Sequence, residues 1–514
     1  MRVLGDIPRL NARRYPEKTA LIMNEKNMTF KQLNESANCL AHGLMSLGVR
    51  PGDRVGLLAE NCLEFVIVNY AAAKCGAILV PMNFRYKKAE LTYVVNDSEP
   101  CVLLHGPEFP GLLEEARDDF ESPVRLVAIS GESLYSGLTT MAGLMDGQSK
   151  EEPSVDVDPY TPAVIMYTSG TTGFPKGVLF SHNAYFNLYS GLVIDGDMSL
   201  DEVAMVGMPL FHNGGLNGQL QPTLMMGNTA VIMGRGFDPD RILDAVARYR
   251  ITMVLWVPTQ LAMLVNHPDK HKYDVSSMKK IWYGSSPISP NVLSGSRELF
   301  DAGFYQWFGQ TETGMLSVLR PEDHLERSHC TGREMFNAEI RIVDEDGREV
   351  SVGEVGEIIS AQKPLGMIGY HKKEEATRET IRDGWIHTGD LARVEGDGYF
   401  TIAGRSKDMI ISGAENIYPK EIEDVISGHP QVREVAVIGI PDEIWGESVC
   451  AVVTPTEKHE LTEESVIEYC TSRLSSYKKP KKVVFMAELP KNAAGKVMKH
   501  VLRKPFWAGR REQV

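Results

Sequence analysis

The chain has 514 residues, of which 43% are hydrophobic and 24% are charged, and its formal net charge is −14. This length exceeds one typical hydrophobic core, so we expect two or more domains, and the ordinary composition excludes a mainly disordered chain. The negative charge argues against a general nucleic-acid binder, because phosphate contacts need a basic face. The carboxyl-terminal region is nevertheless basic, which fits either a solvated surface or a contact with an anionic ligand.

The seven cysteines are scattered without a Cys-x-x-Cys pair. This favours reduced thiols in a cytoplasmic protein over a disulfide framework or a zinc site. The amino terminus has no apolar core of signal-peptide length, and no stretch is long enough for a spanning helix. We therefore expect no integral membrane segment, while peripheral membrane contact and a homodimer both stay open.

The first predicted unit is a strand, a helix and a second strand at residues 54–59, 62–75 and 78–81. Such a βαβ unit implies a parallel sheet. The apolar run at residues 163–167 predicts another buried strand.

The same α/β pattern continues towards residue 330. Asp238 as N-cap and Pro239 in the first turn predict a helix that ends near Tyr249 and precedes a strand at 252–257. Two further buried strands are predicted at 279–283 and 304–308, with a helix starting at Ser289-Pro290 between them. The first three hundred or so residues therefore predict layered α/β structure.

Beyond Gly332 the sequence alternates short strands and tight turns, which predicts a smaller β-rich subdomain. After Lys407 two helices, at 419–427 and 463–474, flank strands at 432–440 and 448–453. This order predicts a compact α+β domain. We expect domains at residues 1–406 and 407–514.

A loop rich in glycine and threonine follows the strand at 163–167, and residues 168–177 read Thr-Ser-Gly-Thr-Thr-Gly-Phe-Pro-Lys-Gly. The glycines let the backbone approach a ligand closely, and the hydroxyl groups with Lys176 supply donors and one cation, which suits a polyphosphate. The loop is not the common nucleotide loop, because Pro175 and Gly177 flank the lysine. A flexible linker is disfavoured, since linkers carry neither the preceding strand nor the Pro-Lys-Gly end.

Later segments add the chemistry that a phosphate loop lacks. Glu312 follows a predicted strand, and a carboxylate beside a triphosphate suits Mg²⁺, although alone it would be read as a surface carboxylate. Asp390 after a glycine turn suits a ribose diol, and Arg405 could join it. Lys496 lies behind a small-residue loop from which it could reach a site shared with another domain, although alone it would be read as one more solvated lysine.

The order and spacing of these segments resemble the adenylate-forming family of acyl-CoA synthetases, luciferases and peptide-synthetase adenylation domains. The resemblance covers nearly the whole chain, and its most specific parts are residues 167–178, 308–312, 388–390, 404–408 and 495–496. Residues 411–423 look most like fatty-acyl and aryl acid CoA ligases. The family implies a large N-terminal domain of layered αβα subdomains with a small β-barrel-like subdomain, followed by a small mobile α+β domain.

The resemblance also implies a reaction with ATP, Mg²⁺ and coenzyme A, in which a small-molecule carboxylic acid becomes an acyl-adenylate and then a thioester. The leading expectation for the acid is a medium- or long-chain fatty acid, with an aryl or alicyclic acid as the nearest alternative. An adenylating enzyme that loads an acyl carrier protein is a further alternative. A regulatory nucleotide-binding protein is disfavoured because Lys176, Glu312 and Lys496 are all present.

By this resemblance the catalytic residues are Lys496, Glu312, Thr168, Lys176 and His212, and Mg²⁺ is held by Thr168 and Glu312. Further residues expected to bind the nucleotide are Ser169, Gly170, Thr171, Thr172, Gly173, Gly284, Ser285, Ser286, Pro287, Trp307, Phe308, Gly309, Gln310, Thr311, Asp390, Ile402 and Arg405. The acyl pocket is expected to be lined by His212, Asn213, Trp256, Gly309, Gly314 and Met315. Lys407 is the expected hinge, where many relatives carry aspartate, and Gly413 is expected on the loop that forms the CoA channel.

Overall fold

A computed structural model describes residues 2–130, 139–168, 175–286, 288–412, 415–456, 461–491 and 496–508. In these residues three β-sheets carry helices on their faces. The helices are α1 (Asp6–Arg14), α2 (Phe30–Ser46), α3 (Leu63–Lys74), α4 (Lys88–Ser98), α5 (Pro110–Ala116), α6 (Met141–Met145), α7 (His182–Asp195), α8 (Asn213–Gly215), α9 (Gln221–Met225), α10 (Pro239–Tyr249), α11 (Pro258–Val265), α12 (Pro290–Leu299), α13 (Glu374–Thr380), α14 (Pro419–Ser427), α15 (Glu463–Thr471) and α16 (Lys499–Trp507).

The first sheet has 14 described strands. They are β1 (Thr19–Met23), β2 (Lys26–Thr29), β10 (Val203–Val206), β11 (Thr229–Ile232), β12 (Met253–Trp256), β13 (Lys280–Gly284), β14 (Gly303–Gln310), β15 (Gly314–Leu319), β16 (Gly332–Glu334), β17 (Ile340–Val343), β18 (Val355–Ala361), β20 (Ile381–Arg382), β21 (Trp385–Gly396) and β22 (Tyr399–Arg405).

The second sheet has eight described strands, in the order β19-β9-β8-β4-β3-β5-β6-β7. Their bounds are β3 (Arg54–Leu58), β4 (Ile78–Met82), β5 (Val102–His105), β6 (Arg125–Ala128), β7 (Thr139–Thr140), β8 (Pro162–Thr168), β9 (Lys176–Ser181) and β19 (Gly369–Tyr370). The pairs β3–β4, β3–β5 and β4–β8 are parallel, as the βαβ pattern predicts.

The third sheet contains β23 (Ile410–Ser412), β24 (Glu415–Ile417), β25 (Val432–Asp442), β26 (Gly446–Pro455) and β27 (Lys482–Phe485). It begins immediately after β22, near the expected domain boundary. Its core is formed by apolar side chains of β25 and β26 with α14 and α15, among them Ile422, Val437 and Cys470.

The β-rich region from β16 to β22 is built mainly on the first sheet. Except for β19, which pairs with β9 in the second sheet, its strands continue the first sheet as antiparallel strands. The direction changes between β14 and β15, which form an antiparallel pair, whereas β12, β13 and β14 run parallel. The tight turn between Gln310 and Gly314 allows this reversal, because antiparallel neighbours need only a short connection.

Where helix signals were strong, the predicted elements match the structure. The side chain of Asp238 accepts the Arg241 backbone N–H at the start of α10, and Ser289 caps α12 in the same way. All seven cysteines are free. In the described ranges no helix combines the length and hydropathy that a membrane span requires.

Candidate functional site

The two ends of the glycine- and threonine-rich loop lie opposite each other on adjacent strands. Thr168 ends β8 and Lys176 begins β9, where they form a registered pair. The Thr168 hydroxyl donates to the Lys176 carbonyl over 3.4 Å. Five of the predicted phosphate-binding residues fall outside the described residues, namely Ser169, Gly170, Thr171, Thr172 and Gly173.

The Lys176 side chain points towards a tyrosine that the sequence did not single out. Its Nζ lies 4.9 Å from the centroid of the Tyr370 ring, a distance typical of a cation–π contact. The Tyr370 hydroxyl donates a hydrogen bond of 2.9 Å to Oε1 of Glu312. Lys176 on β9 and Glu312 in the turn between β14 and β15 therefore both contact the Tyr370 side chain, one at the ring and the other at the hydroxyl.

Thr311 and Glu312 lie in the tight turn between β14 and β15. A Cβ on Gly309 would lie 2.1 Å from the Gly314 carbonyl oxygen, and Gly314 itself has a positive φ of 70°. Both positions therefore require glycine. The Glu312 carbonyl accepts the Met367 backbone N–H at 2.9 Å, which fixes the turn against the segment that carries Tyr370.

Asp390 and Arg405 form a mostly buried ion pair on neighbouring strands. The two residues are registered partners on β21 and β22, and Arg405 Nε lies 2.9 Å from Asp390 Oδ1. Gln310 Nε2 donates to Asp390 Oδ2 and to the Thr388 carbonyl, which links the end of β14 to this pair. Asp390 is 5% exposed, so its carboxylate is held in one orientation by these partners.

Lys496, in the carboxyl-terminal region, interacts electrostatically with the same pair. It keeps access to solvent, yet the surrounding protein desolvates its ammonium group. This desolvation, followed by repulsion from Arg405, lowers the pKa of Lys496 to about 8, while Asp390 and Asp408 act in the opposite direction. The lysine therefore shares one electrostatic environment with the Asp390–Arg405 pair.

The residues predicted to lie near adenine come mainly from strands β13, β14 and β22 of the first sheet. Gly284 ends β13, and Ser285 follows it with a strained positive φ of 69°, a conformation that clusters at functional sites. Phe308 packs edge-to-face on Phe400 with ring centroids 6.0 Å apart. The backbone N–H of Ile402 donates to the Thr331 hydroxyl. Ser286 is exposed next to Ser285, and Pro287 lies outside the described residues.

Trp307 is a predicted nucleotide contact whose side chain is buried. Its indole is 3% exposed and packs against Trp282 with ring centroids 5.1 Å apart. Because side chains alternate along a strand, the neighbour of Phe308 points into the core. Only the Trp307 backbone can meet a ligand.

The candidate acyl pocket starts at His212, which caps α8 and accepts the Gly214 N–H on Nδ1. Burial lowers the pKa of His212, so its imidazole stays neutral at pH 7. Asn213 accepts a hydrogen bond from Asn217, one helical turn away. The turn between α8 and α9 (Leu216–Leu220) is a π-helix, a feature frequent at functional sites.

Two glycines of this helix, Gly214 and Gly218, face the same wall. A Cβ on Gly218 would lie 3.7 Å from Met315 Cε and 3.8 Å from Leu255 Cδ2. A Cβ on Gly214 would lie 4.0 Å from the same Leu255 atom. A methyl group at either glycine would therefore be in ordinary van der Waals contact with this wall, so the helix packs within about one methyl of Leu255 and Met315.

Trp256 is a correction to the predicted pocket lining, because its side chain does not lie on the side of the sheet that faces Gly214 and Gly218. It is 1% exposed and packs on Phe300, within the apolar cluster on the other face of the sheet. Leu255, the preceding residue of β12, points to the pocket side instead. The prediction identified the correct strand, β12, but Trp256 points to the opposite face of the sheet from Leu255.

Lys407 lies in the short turn between β22 and β23. Its carbonyl accepts a hydrogen bond of 3.1 Å from Nη1 of Arg503, a residue of α16. The proposed hinge is thus tied to the last helix. Gly413 lies outside the described residues.

The residues around Glu312 fit a magnesium ion that is completed by substrate. In the described ranges no group of three or more histidine, cysteine, aspartate or glutamate residues could hold a metal alone. Mg²⁺ commonly takes one or two protein carboxylates together with substrate phosphates and waters. Glu312 forms no ion pair with any described lysine or arginine, so its charge is available for such an ion.

Comparison with known proteins identifies the family. The chain matches the AMP-binding enzyme family over residues 9–371 and the AMP-binding enzyme C-terminal domain over residues 421–496. The chain belongs to the AMP-binding enzyme family. This assignment confirms the resemblance to adenylate-forming enzymes, and the homologues include acyl and aryl CoA ligases.

Three similar proteins illustrate the range of relatives of this AMP-binding enzyme. It is 37% identical over 507 residues to a feruloyl-CoA synthase of Amycolatopsis sp, covering 98% of this chain and 99% of the relative. It is 34% identical to a long-chain-fatty-acid–CoA ligase of Mycobacterium tuberculosis, covering 98% and 96% of the two chains. The crystal structure of an anthranilate CoA ligase in complex with anthranoyl-AMP has a TM-score of 0.91 at 28% identity, covering 98% and 97% of the two chains.

Proposed function

We propose that this protein is an ATP-dependent carboxylic acid:CoA ligase that forms an acyl-adenylate and then an acyl-CoA thioester. The observation that carries the proposal is the mostly buried Asp390–Arg405 pair, whose electrostatic environment Lys496 of the carboxyl-terminal region shares. A carboxylate able to accept ribose hydroxyls, with a lysine of the carboxyl-terminal region in the same electrostatic environment, suits a nucleotide whose phosphates react. The coenzyme A ligases among the relatives support the choice of acceptor.

In the first step a carboxylate oxygen of the acid attacks the α-phosphorus of ATP. The bond from that phosphorus to the bridging oxygen breaks, and pyrophosphate leaves with its electrons. In the second step the CoA sulfur attacks the acyl carbonyl carbon, AMP leaves, and the thiol proton passes to solvent. Activation is needed because a free carboxylate is a poor acyl donor.

Each charged residue has a role in this proposal. Asp390 accepts the ribose hydroxyl groups, and Arg405 holds the Asp390 carboxylate in place. Lys176 and Lys496 offset the negative charge on the phosphoryl oxygens, a preorganised electrostatic effect that lowers the barrier when two anions must meet. A magnesium ion held by Glu312 and Thr168 would neutralise further phosphate charge. His212, kept neutral, orients the carboxylate of the acid.

For the acid itself we propose a planar aryl or arylalkenoic acid. The support is that a feruloyl-CoA synthase, an indoleacetate–CoA ligase and an anthranilate CoA ligase are among the similar proteins. A medium- or long-chain fatty acid is the second candidate, because unbranched Met315 adapts readily to an alkyl chain and a fatty-acid ligase is among the relatives.

A panel of carboxylates with ATP and CoA tests both parts of the proposal. The panel contains benzoic, cinnamic, hydroxycinnamic, indoleacetic, octanoic and palmitic acids, and pyrophosphate and thioester are measured separately. We expect thioester from the aryl acids and a higher kcat/KM for them than for either fatty acid. Thioester from palmitate alone would refute the aryl assignment, and pyrophosphate release without any thioester would indicate a carrier-protein acceptor.

Gly218→Ala provides a matched test of the pocket. The added methyl would be in ordinary contact with Met315 and Leu255, so the fold should tolerate it while the pocket narrows. We expect KM for the preferred acid to rise about tenfold, the effect of one methyl-sized obstruction. Gly111→Ala on α5, where a Cβ meets nothing within 4 Å, is the control and should leave KM unchanged.

A further inference from the structure

Tyr370 occupies a position that joins the two large sheets at the proposed phosphate site. It lies on the short strand β19, which pairs with β9 so that Tyr370 is opposite Val178. The next residue, His371, donates its backbone N–H to the Gly177 carbonyl at 2.7 Å. Tyr370 is therefore fixed to the strand that begins with Lys176.

The side chain of Tyr370 is almost fully buried, with 9% of the residue exposed. Its hydroxyl donates to Glu312 in the turn between β14 and β15 of the first sheet. Its ring face lies under Lys176, which begins β9 of the second sheet. A phenol is the ordinary side chain that can do both, because it carries a hydrogen-bond donor at one end and a π face along its length.

Resting on the proposed function, we propose that Tyr370 is a positioning residue that orients the Glu312 carboxylate for the metal ion and Lys176 for the triphosphate. The hydroxyl binds one carboxylate oxygen, Oε1, and leaves Oε2 outside the hydrogen bonds made by the described residues. Partners of this kind restrict the rotation of a metal-binding carboxylate, and their removal commonly costs 10–100-fold in metal affinity.

The two contacts of Tyr370 can be removed separately. Tyr370→Phe deletes the hydroxyl and keeps the ring beneath Lys176, whereas Tyr370→Leu deletes both contacts. Tyr273→Phe is the matched control, because the Tyr273 hydroxyl donates to Asp240 at 2.6 Å on an exposed surface. Glu312→Gln removes the carboxylate itself and shows what loss of the metal contact looks like.

The test measures binding to the full-length enzyme without turnover. Mn²⁺ binding in the presence of ATP, with no acid added, is followed by electron paramagnetic resonance, and ATP binding in EDTA is followed by calorimetry. For Tyr370→Phe we expect about tenfold weaker Mn²⁺ binding and unchanged metal-free ATP binding. For Tyr370→Leu we expect an additional loss of about threefold in metal-free ATP binding, the size of a partly exposed cation–π contact.

The possible outcomes separate this inference from the proposed function. Wild-type Mn²⁺ affinity in Tyr370→Phe, combined with a loss in Glu312→Gln, would overturn the positioning role and leave the ligase proposal standing. Absence of ATP-dependent Mn²⁺ binding in the wild type would overturn the ligase proposal. Equal losses in Mn²⁺ binding and metal-free ATP binding for Tyr370→Phe would indicate general damage to the fold and also count against the positioning role.

Discussion

The rate of adenylation is expected to fall as pH rises through the pKa of Lys496. Ordinary lysines lose their proton near pH 10.4, but desolvation and Arg405 lower the pKa of Lys496 to about 8. The cation is therefore about nine-tenths populated at pH 7 and about one-tenth populated at pH 9. If only the charged form supports attack on the α-phosphorus, kcat/KM for ATP drops about tenfold per pH unit above 8, since this parameter reports the free enzyme.

The assay is pyrophosphate release at ATP concentrations below KM, from pH 6 to pH 10, with a saturating acid substrate. Thioester formation from supplied acyl-adenylate is the control reaction, because it does not involve the departing pyrophosphate. Lys496→Arg keeps the charge throughout this range, so any activity it retains should show no break near pH 8. Lys496→Ala should lose adenylation while keeping the control reaction. A flat wild-type profile up to pH 10, or a break that survives in Lys496→Arg, would refute the assignment.

Two further substitutions test other parts of the site. Asp390→Asn should raise KM for ATP at least tenfold. In a denaturant titration it should also lower the free energy of unfolding by about 2 kcal/mol, because a mostly buried ion pair loses one partner. Asp397→Asn is the control, because the Asp397–Arg327 pair is exposed, and it should lower the free energy of unfolding by less than about 1 kcal/mol. Leu255→Phe should narrow the acyl pocket and change the order of preferred acids. Trp256→Phe should lower Tm without changing that order. A changed order in Trp256→Phe but not in Leu255→Phe would contradict the placement of these two side chains.

The sequence predicted those elements whose signals are local. Helix α14 begins at Pro419 and ends at Ser427 before Gly428, because a first-turn proline and a following glycine mark its ends without help from distant residues. The large domain also followed from local patterns, since buried strands alternating with helices imply parallel sheet. The domain boundary near Lys407 remains a prediction, although the third sheet begins soon after it.

The sequence alone does not decide which side of a strand faces the site. Trp256 and Trp307 are large aromatic residues on the correct strands, but each points into the core, and the adjacent residue faces the site. Because side chains alternate along a strand, the tryptophan and its neighbour point to opposite sides, and either one could face the site until the packing partner is known. Phe300 and Trp282 are those partners, and each is separated from its tryptophan by more than twenty residues.

Tyr370 shows a second limit of reading from sequence. Its contact with Glu312 spans 58 residues and joins β19 of the second sheet to the turn between β14 and β15 of the first. Nothing within a few residues of Tyr370 indicates a charged partner, and a short segment ending in Gly-Tyr is an ordinary feature of β-rich regions. Only the pairing of β19 with β9 brings the tyrosine to the lysine and the carboxylate.

The charges around Lys496 are expected to couple the placement of the carboxyl-terminal region to the binding of ATP. Arg405 and Lys407 both lower the pKa of Lys496, which means that these like charges repel one another where they meet. A bound polyphosphate reverses the sign of this interaction, because each cation then faces negative charge. By linkage, a ligand that stabilises the charged lysine also stabilises the arrangement that places it there. Placement of Lys496 at the site and binding of ATP should therefore favour each other. Asp390 takes part in both, because it attracts Lys496 and, in the proposed function, accepts the ribose hydroxyl groups.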